Sequence, residues 1–191
     1  MSPPPSEHRE ALEALGLGGQ ALSRLAAYLD TLAAWSPRVN LTGARTPSER
    51  VRLLVGDVLA AAPLPEAGRL VDVGSGNGSP GLVLALLRDD LEVTLLEPRA
   101  RRWAFLREAA RAAGRSGLRV LRLRHDAYPG PAARTVTLRA LSLPLQELLP
   151  LLEPKGQVVV FGGRPEDAPG LERTALGRGL PGEIAVFRRA S

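Results

Sequence analysis

From Arg69 onward the chain alternates short Val/Leu-rich runs with stretches of helical length, and that alternation leaves few folds open. The runs are Arg69–Val73, Val93–Glu97, Leu118–Arg124, Thr135–Arg139, Gln157–Phe161 and Ile184–Arg188. Helices are expected between them at Pro80–Leu87, Arg99–Ala113 and Leu143–Leu152, with a weaker one near Leu171–Leu176. Parallel strands need a crossover to return, and helices of this length supply it. The pattern therefore predicts an α/β fold with a parallel sheet wound on both faces. Such sheets bind ligands at the carboxyl ends of their strands, where strand order reverses.

The first third reads differently. In Gly19–Trp35, Leu22, Leu25, Leu29 and Leu32 recur at three- and four-residue steps beside Ala26 and Ala33, which predicts an amphipathic helix. Thr46-Pro-Ser-Glu49 carries a cap, a proline at the first helical position and an acid that can close a capping box. That helix should run to about Ala62, before Pro63. Met1–Ser6 reads as a frayed tail, with His8 placed in it. The expected organisation is a helical extension over 1–66 and a compact α/β domain over 67–191. No apolar run is long enough to span a membrane, and Met1–Glu10 has Pro, Glu and Arg where a signal peptide needs an apolar stretch. A cytoplasmic monomer with no membrane partner is expected. The absence of cysteine excludes disulfides, thiolate metal sites and thiol nucleophiles.

The most informative stretch is Leu70-Val-Asp-Val-Gly-Ser-Gly-Asn-Gly-Ser-Pro-Gly81, a buried strand running into Gly74, Gly76, Gly78 and Gly81 and then a helix. Close approach of a ligand to the backbone leaves no room for Cβ atoms, and tight turns need positive φ. Gly76-Asn-Gly78-Ser-Pro-Gly81 fits the dinucleotide fingerprint literally. Two residues argue against a dinucleotide. Asp72, inside the strand, would repel a pyrophosphate but can order the loop and approach a cationic ligand. Pro80 removes a backbone N–H where phosphates seek donors. S-adenosylmethionine has no phosphate and carries a sulfonium and an ammonium, so it matches better. Glu97, 19 residues past Gly78 at the end of the second strand, suits a carboxylate that accepts ribose hydroxyls. Asp126, at the exit of the third strand, suits the adenine amino group. No metal site is expected, since His125 and His8 are the only histidines.

Charge adds a second theme. Pro98–Arg124 holds nine arginines against one acid, Glu108, within a chain of net charge +5, and such a cluster is the footprint of a polyanion partner. On a helix over Arg99–Arg115, Trp103, Leu106, Ala109, Ala110 and Ala113 share the apolar face. Arg101, Arg107, Arg111 and Arg115 share the opposite one, a stripe that by itself reads equally as a solvated face.

These residues together with Asn40-Leu-Thr42, Arg101-Arg-Trp-Ala-Phe-Leu106 and Leu138-Arg-Ala140 resemble the bacterial 16S ribosomal RNA guanine-N7 methyltransferases of the RsmG (GidB) type, over roughly Leu22 to Gly163. The resemblance implies a Rossmann-like class I S-adenosylmethionine-dependent methyltransferase sheet, and methylation of a guanine in the decoding-region loop of 16S rRNA, free or within the small ribosomal subunit. It places cofactor contacts on Gly74, Ser79, Glu97, Pro98, Arg99, His125 and Asp126, with Arg139 facing the site as the candidate catalytic residue. Taken with Arg119, Arg122 and Arg124, the resemblance also implies that Arg101, Arg107, Arg111 and Arg115 are candidate RNA-phosphate contacts. The sequence departs from the family pattern at Leu54 (usually His), Val58 (Ser), Ser79 (aromatic or large apolar), Arg134 (acid) and Gly162 (Lys, with Arg164 close by). Guanine N7 has no proton to lose, so the reaction implied needs no general base. The other readings are a small-molecule methyltransferase and a non-catalytic RNA-binding relative that keeps the cofactor fold. A nicotinamide oxidoreductase is disfavoured by Pro80 and by the short chain.

Overall fold

The computed structural model describes residues 6–163, 165–174, 177 and 183–190. Its elements run α1 (Arg9–Glu13), α2 (Gly19–Trp35), α3 (Pro47–Val51), α4 (Asp57–Ala61), β1 (Gly68–Val73), α5 (Gly81–Leu87), β2 (Leu91–Leu96), α6 (Ala100–Ala112), β3 (Arg119–Leu121), β4 (Ala133–Arg139), β5 (Leu152–Phe161), β6 (Leu171–Arg173) and β7 (Ile184–Arg189). The seven strands form one sheet in the order β3-β2-β1-β4-β5-β7-β6. Strands β1 to β5 pair in parallel, as the alternation predicts. Strand β7 runs antiparallel to both β5 and β6, so the sheet is mixed rather than wholly parallel. The order reverses between β1 and β4, which places a crevice at their carboxyl ends.

Residues alternate across the sheet with period two. Leu70 joins the core shared with α2, α5 and α6, whereas Val71 and Val73 join the core on the other face. Helices were expected on both faces. Among the described residues, the α-helices gather on the first face, and the second is covered chiefly by a 3₁₀ segment, Leu145–Leu151, where an α-helix over Leu143–Leu152 was expected. Pro150 sits inside it and has no N–H to give an α-helical ladder, and Leu152 already begins β5. The weak helix near Leu171–Leu176 is instead strand β6, since Leu171–Arg173 finds partners in Phe187–Arg189 of β7; Ala175 and Leu176 lie outside the described residues. The third strand is shorter than expected, ending at Leu121, with a 3₁₀ turn at His125–Ala127.

Helix α2 buries Leu22, Leu25, Ala26, Tyr28, Leu29 and Leu32 against the sheet-side core, so residues on both sides of position 66 share one cluster. The capping box at Thr46 and Glu49 forms as predicted. The helix it starts continues to Ala61 but widens into a π-turn at Arg52–Gly56. The physical reason is visible in its carbonyls: Leu53 O accepts from Arg139 Nη1 at 3.0 Å, and Leu54 O accepts from Ser79 Oγ at 2.7 Å. Turns of this kind inside helices gather at functional sites. His8 is not part of a frayed tail. It is buried, its Nδ1 lies 2.7 Å from Asp30 Oδ1, and it ties α1 across α2. Of the expected tail, Met1–Pro5 lie outside the described residues.

Candidate functional site

The glycine loop leaves β1 at the crevice. Gly74, Gly76 and Gly78 all have positive φ (68°, 48° and 94°), which L side chains adopt rarely, so the glycines are required by the turn itself. Glu97, at the end of β2, is buried and clamps the loop. Its Oε2 accepts from Gly76 N at 2.9 Å and its Oε1 accepts from Arg99 N at 2.8 Å. Each carboxylate oxygen keeps a second lone pair for a ligand hydroxyl.

Asp72 is 1% exposed and lies beneath the loop rather than in its mouth. Thr137 Oγ1 donates to its Oδ1 at 2.6 Å, while Oδ2 has no hydrogen-bond partner. A Cβ on Gly81 would stand 2.4 Å from Asp72 Cβ, so the helix α5 starts directly on this side chain. Burial pushes the Asp72 carboxyl up to about 6, against the pull of the Thr137 hydroxyl and Arg139. Its side chain thus ties β1 to Thr137 of β4 and to the start of α5.

Gly78 and Ser79 face away from the crevice. A Cβ on Gly78 would meet Leu82 and Tyr28 at 3.2 Å, and Ser79 Oγ is spent on Leu54 O. They serve to dock the loop on α2 and the π-turn. Tyr28, which sequence reasoning missed, donates from its hydroxyl to Asn77 O at 2.9 Å; burial raises its pKa above the ordinary value. Asn77 Nδ2 donates to Leu41 O at 3.1 Å, and Arg102 Nη2 donates to Asn40 O at 2.9 Å. The Leu41 carbonyl thus ties the Asn40-Leu-Thr42 segment to the loop, and the Asn40 carbonyl ties it to α6.

Arg139 is the last residue of β4. Beyond its bond to Leu53 O, its guanidinium lies 5.3 Å from the Phe161 ring centroid, and its Nε and Nη2 are buried without a partner. Burial lowers its pKa from the ordinary value, opposed by the charge of Asp57 first and then by Tyr28 and Asp72. Two orphaned donors on one edge of a guanidinium match a carboxylate acceptor. Past Arg139 the chain turns through Ala140 (φ 48°), and Leu141 packs where a Cβ on Gly74 would stand 3.2 Å away. Leu141 also walls a cavity of about 790 Å³ at the ends of β4 and β5, so the cavity adjoins the loop.

At the third strand's exit, His125 is buried and its Nε2 lies 3.0 Å from Glu147 Oε2, which turns its ring toward the 3₁₀ segment. Asp126 is exposed and pairs with Arg124 at 3.3 Å. Pro98 and Arg99 are exposed beside Glu97. Among the departures, Leu54 and Val58 are buried in the core and Arg134 pairs with Glu66 at 3.0 Å. Gly162 adopts φ 73°, and Arg164 lies outside the described residues.

A family model described as rRNA small subunit methyltransferase G matches residues 21–172. The chain belongs to that family. It is 38% identical over 152 residues to the "Ribosomal RNA small subunit methyltransferase G" of Halorhodospira halophila, a match spanning 77% of this chain and 72% of that protein. With the protein of the same name from Xanthomonas campestris pv. campestris it shares 39% identity over 131 residues, 68% of this chain but 62%, under two thirds, of the relative. In structure it resembles TrmN from Thermus thermophilus (TM-score 0.55, 22% identity, 77% of this chain and 54% of that one). It also resembles a mutant MtNAS solved in complex with S-adenosylmethionine (TM-score 0.59, 14% identity, 96% and 84%). These likenesses bear on the fold, a Rossmann-like methyltransferase sheet with helices ahead of it. No helix among the described residues is long and apolar enough to cross a membrane.

Proposed function

We propose that the chain transfers a methyl group from S-adenosylmethionine to N7 of a guanine in the decoding-region loop of 16S ribosomal RNA. Family membership supports the substrate class, and one geometric observation carries the rest. At the β1/β4 switch point a positive-φ glycine loop is clamped by Glu97, and Arg139 at the end of β4 keeps two buried donors without a partner.

The residues fit the cofactor. Glu97 keeps lone pairs for the ribose hydroxyls, Gly74 and Gly76 offer backbone free of Cβ atoms, and Arg139 Nε and Nη2 would hold the carboxylate. Pro98, Arg99, His125 and Asp126 stand at the ends of β2 and β3, where the adenosine end belongs on this reading. When bound, S-adenosylmethionine supplies an electrophilic methyl on a sulfonium. The cavity at the ends of β4 and β5 would hold the base in line with it, with Leu141 between cavity and loop. N7 presents a lone pair and no proton, so positioning is the main contribution asked of the protein, and proximity can supply ~7–11 kcal/mol of barrier reduction. Residues 1–66 act in this scheme as a helical extension that docks the loop on the domain over 67–191, and the chain works as a cytoplasmic monomer.

The test is transfer of tritium from methyl-labelled cofactor to 16S rRNA, followed by nucleoside analysis. Label in 7-methylguanosine is expected; label in another nucleoside, or none at all, refutes the assignment.

A further inference from the structure

The arginines of 98–124 do not form one equivalent surface, because most already have partners. Arg111 is held by both Glu108 oxygens, at 2.7 and 2.9 Å, and Arg115 binds Asp89, which Arg24 also holds. Arg107 lies 4.9 Å from the Trp103 ring centroid. Arg107 and Arg111 run down α6 away from the site, and Arg115 lies just past its end. Helix α6 starts at the carboxyl end of β2 and ends near the amino end of the sheet, so at ~1.5 Å per residue Arg111 sits ~15 Å further along than Arg101.

At the other end the balance is reversed. An open notch of about 320 Å³ is lined by Arg38, Asn40, Arg99, Arg101 and Arg102, with only Val39 and Ala100 as apolar neighbours and no acid in its lining. The Arg38, Arg99 and Arg101 side chains are exposed and, among the described residues, make no hydrogen bond or ion pair. Arg102 links the notch to the site: its Nη2 holds Asn40 O, and its Nη1 lies 3.7 Å from where a Cβ on Gly76 would stand.

We propose that this notch, and not the length of α6, binds the RNA backbone, taking a phosphodiester next to the target nucleotide on Arg38 and Arg101. The proposal rests on the methyltransferase reading above and adds where the polynucleotide lies. Like charges held together without carboxylates are the footprint of a polyanion, and the guanidinium fork matches phosphate oxygens in pairs. An acidic protein partner is disfavoured because protein interfaces centre on buried aromatic anchors, and no aromatic side chain lines this notch. The location beside Gly76 puts a bound phosphate at the rim of the reaction site, whereas the stripe at Arg107 and Arg111 leads away from it.

The experiment measures 16S rRNA affinity across a salt series for the wild type, Arg38→Gln/Arg101→Gln and Arg107→Gln/Arg111→Gln. Each phosphate contact adds ~0.7–0.9 to the slope of log affinity against log salt, so the notch variant, which loses the one phosphodiester contact, should flatten it by about 0.7–0.9. The stripe variant should keep the wild-type slope, and both should keep wild-type cofactor affinity by calorimetry, which also shows that they are folded. An unchanged slope in the notch variant overturns the proposal, as does a flattening confined to the stripe variant. A loss of affinity equal at every salt concentration indicates a contact other than phosphate and overturns it too. Failure of the underlying reading is separable, since it would appear as wild-type protein that binds cofactor yet methylates no rRNA.

Discussion

Replacing Asp72 by Asn tests how the protein tolerates a buried carboxyl at the foot of its glycine loop. Burial moves this group from an ordinary 3.8 to about 6. At ~1.36 kcal/mol per pH unit the difference corresponds to roughly 3 kcal/mol. The folded-state pKa is raised, so between those two values the folded chain binds more protons than the unfolded one, and stability falls as pH rises. Below about pH 4 the group is neutral in both states and costs nothing; above pH 6 the full penalty is present. Asn removes the titration. Its amide oxygen can still accept from Thr137, but its NH₂ takes the place of Oδ2, which has no partner, at a pH-independent cost of ~1–3 kcal/mol. The variant should therefore be less stable than wild type at pH 4 and equal or more stable at pH 7. Urea unfolding of both proteins from pH 4 to pH 8 reads this directly. Exposed carboxylates held low by arginines, such as Asp89, Asp90 and Glu108, titrate in both proteins and cancel in the difference. A difference that stays constant from pH 4 to pH 7 would refute the claim that Asp72 is ionised against its environment.

Gly81→Ala places a Cβ 2.4 Å from Asp72 Cβ, so α5 must shift, and a loss of ~1–3 kcal/mol in denaturant unfolding is expected; Gly56→Ala, whose Cβ meets nothing within 4 Å, is the control that should not lose stability. Glu97→Gln leaves one oxygen for the two backbone N–H groups of Gly76 and Arg99, so the loop loses an anchor and calorimetric cofactor affinity should fall by ~1.5–3 kcal/mol. A wild-type dissociation constant in that variant would move the ribose contact away from Glu97.

Much of this architecture is legible because local rules and tertiary demands agree. The strand-to-glycine passage at Leu70–Gly81 states its own turn, since three positive-φ positions fall on three glycines. Thr46-Pro-Ser-Glu49 specifies its helix start with its own side chains. The misread segments are those whose structure depends on a distant partner. Leu171–Arg173 is a strand only because β7 lies beside it, and the helix after Thr46 widens only because Arg139 and Ser79 take its carbonyls. Tyr28 left no signal of its own: it occupies a leucine-like position in the apolar stripe of α2, and only the packed fold aims its hydroxyl at Asn77.

The same division runs through the site. Residue type and spacing alone determined that a glycine loop follows the first strand, that an acid closes the second, and that arginine crowds the helix after it, because backbone sterics and charge act over short separations. Which of those residues remain available to a ligand was decided in three dimensions. Gly78, Ser79 and Asp72 match a loop motif in the sequence, yet they are turned inward to seat the loop on α2, the π-turn and α5. Arg111 and Arg115 are cations in the sequence, yet Glu108 and Asp89 already hold them, while Arg38, 61 residues before Arg99, lines the same notch as Arg99. A side chain's charge is fixed when the chain is made, but its partner is chosen by the fold, and it is the partner that decides whether the charge is free to act.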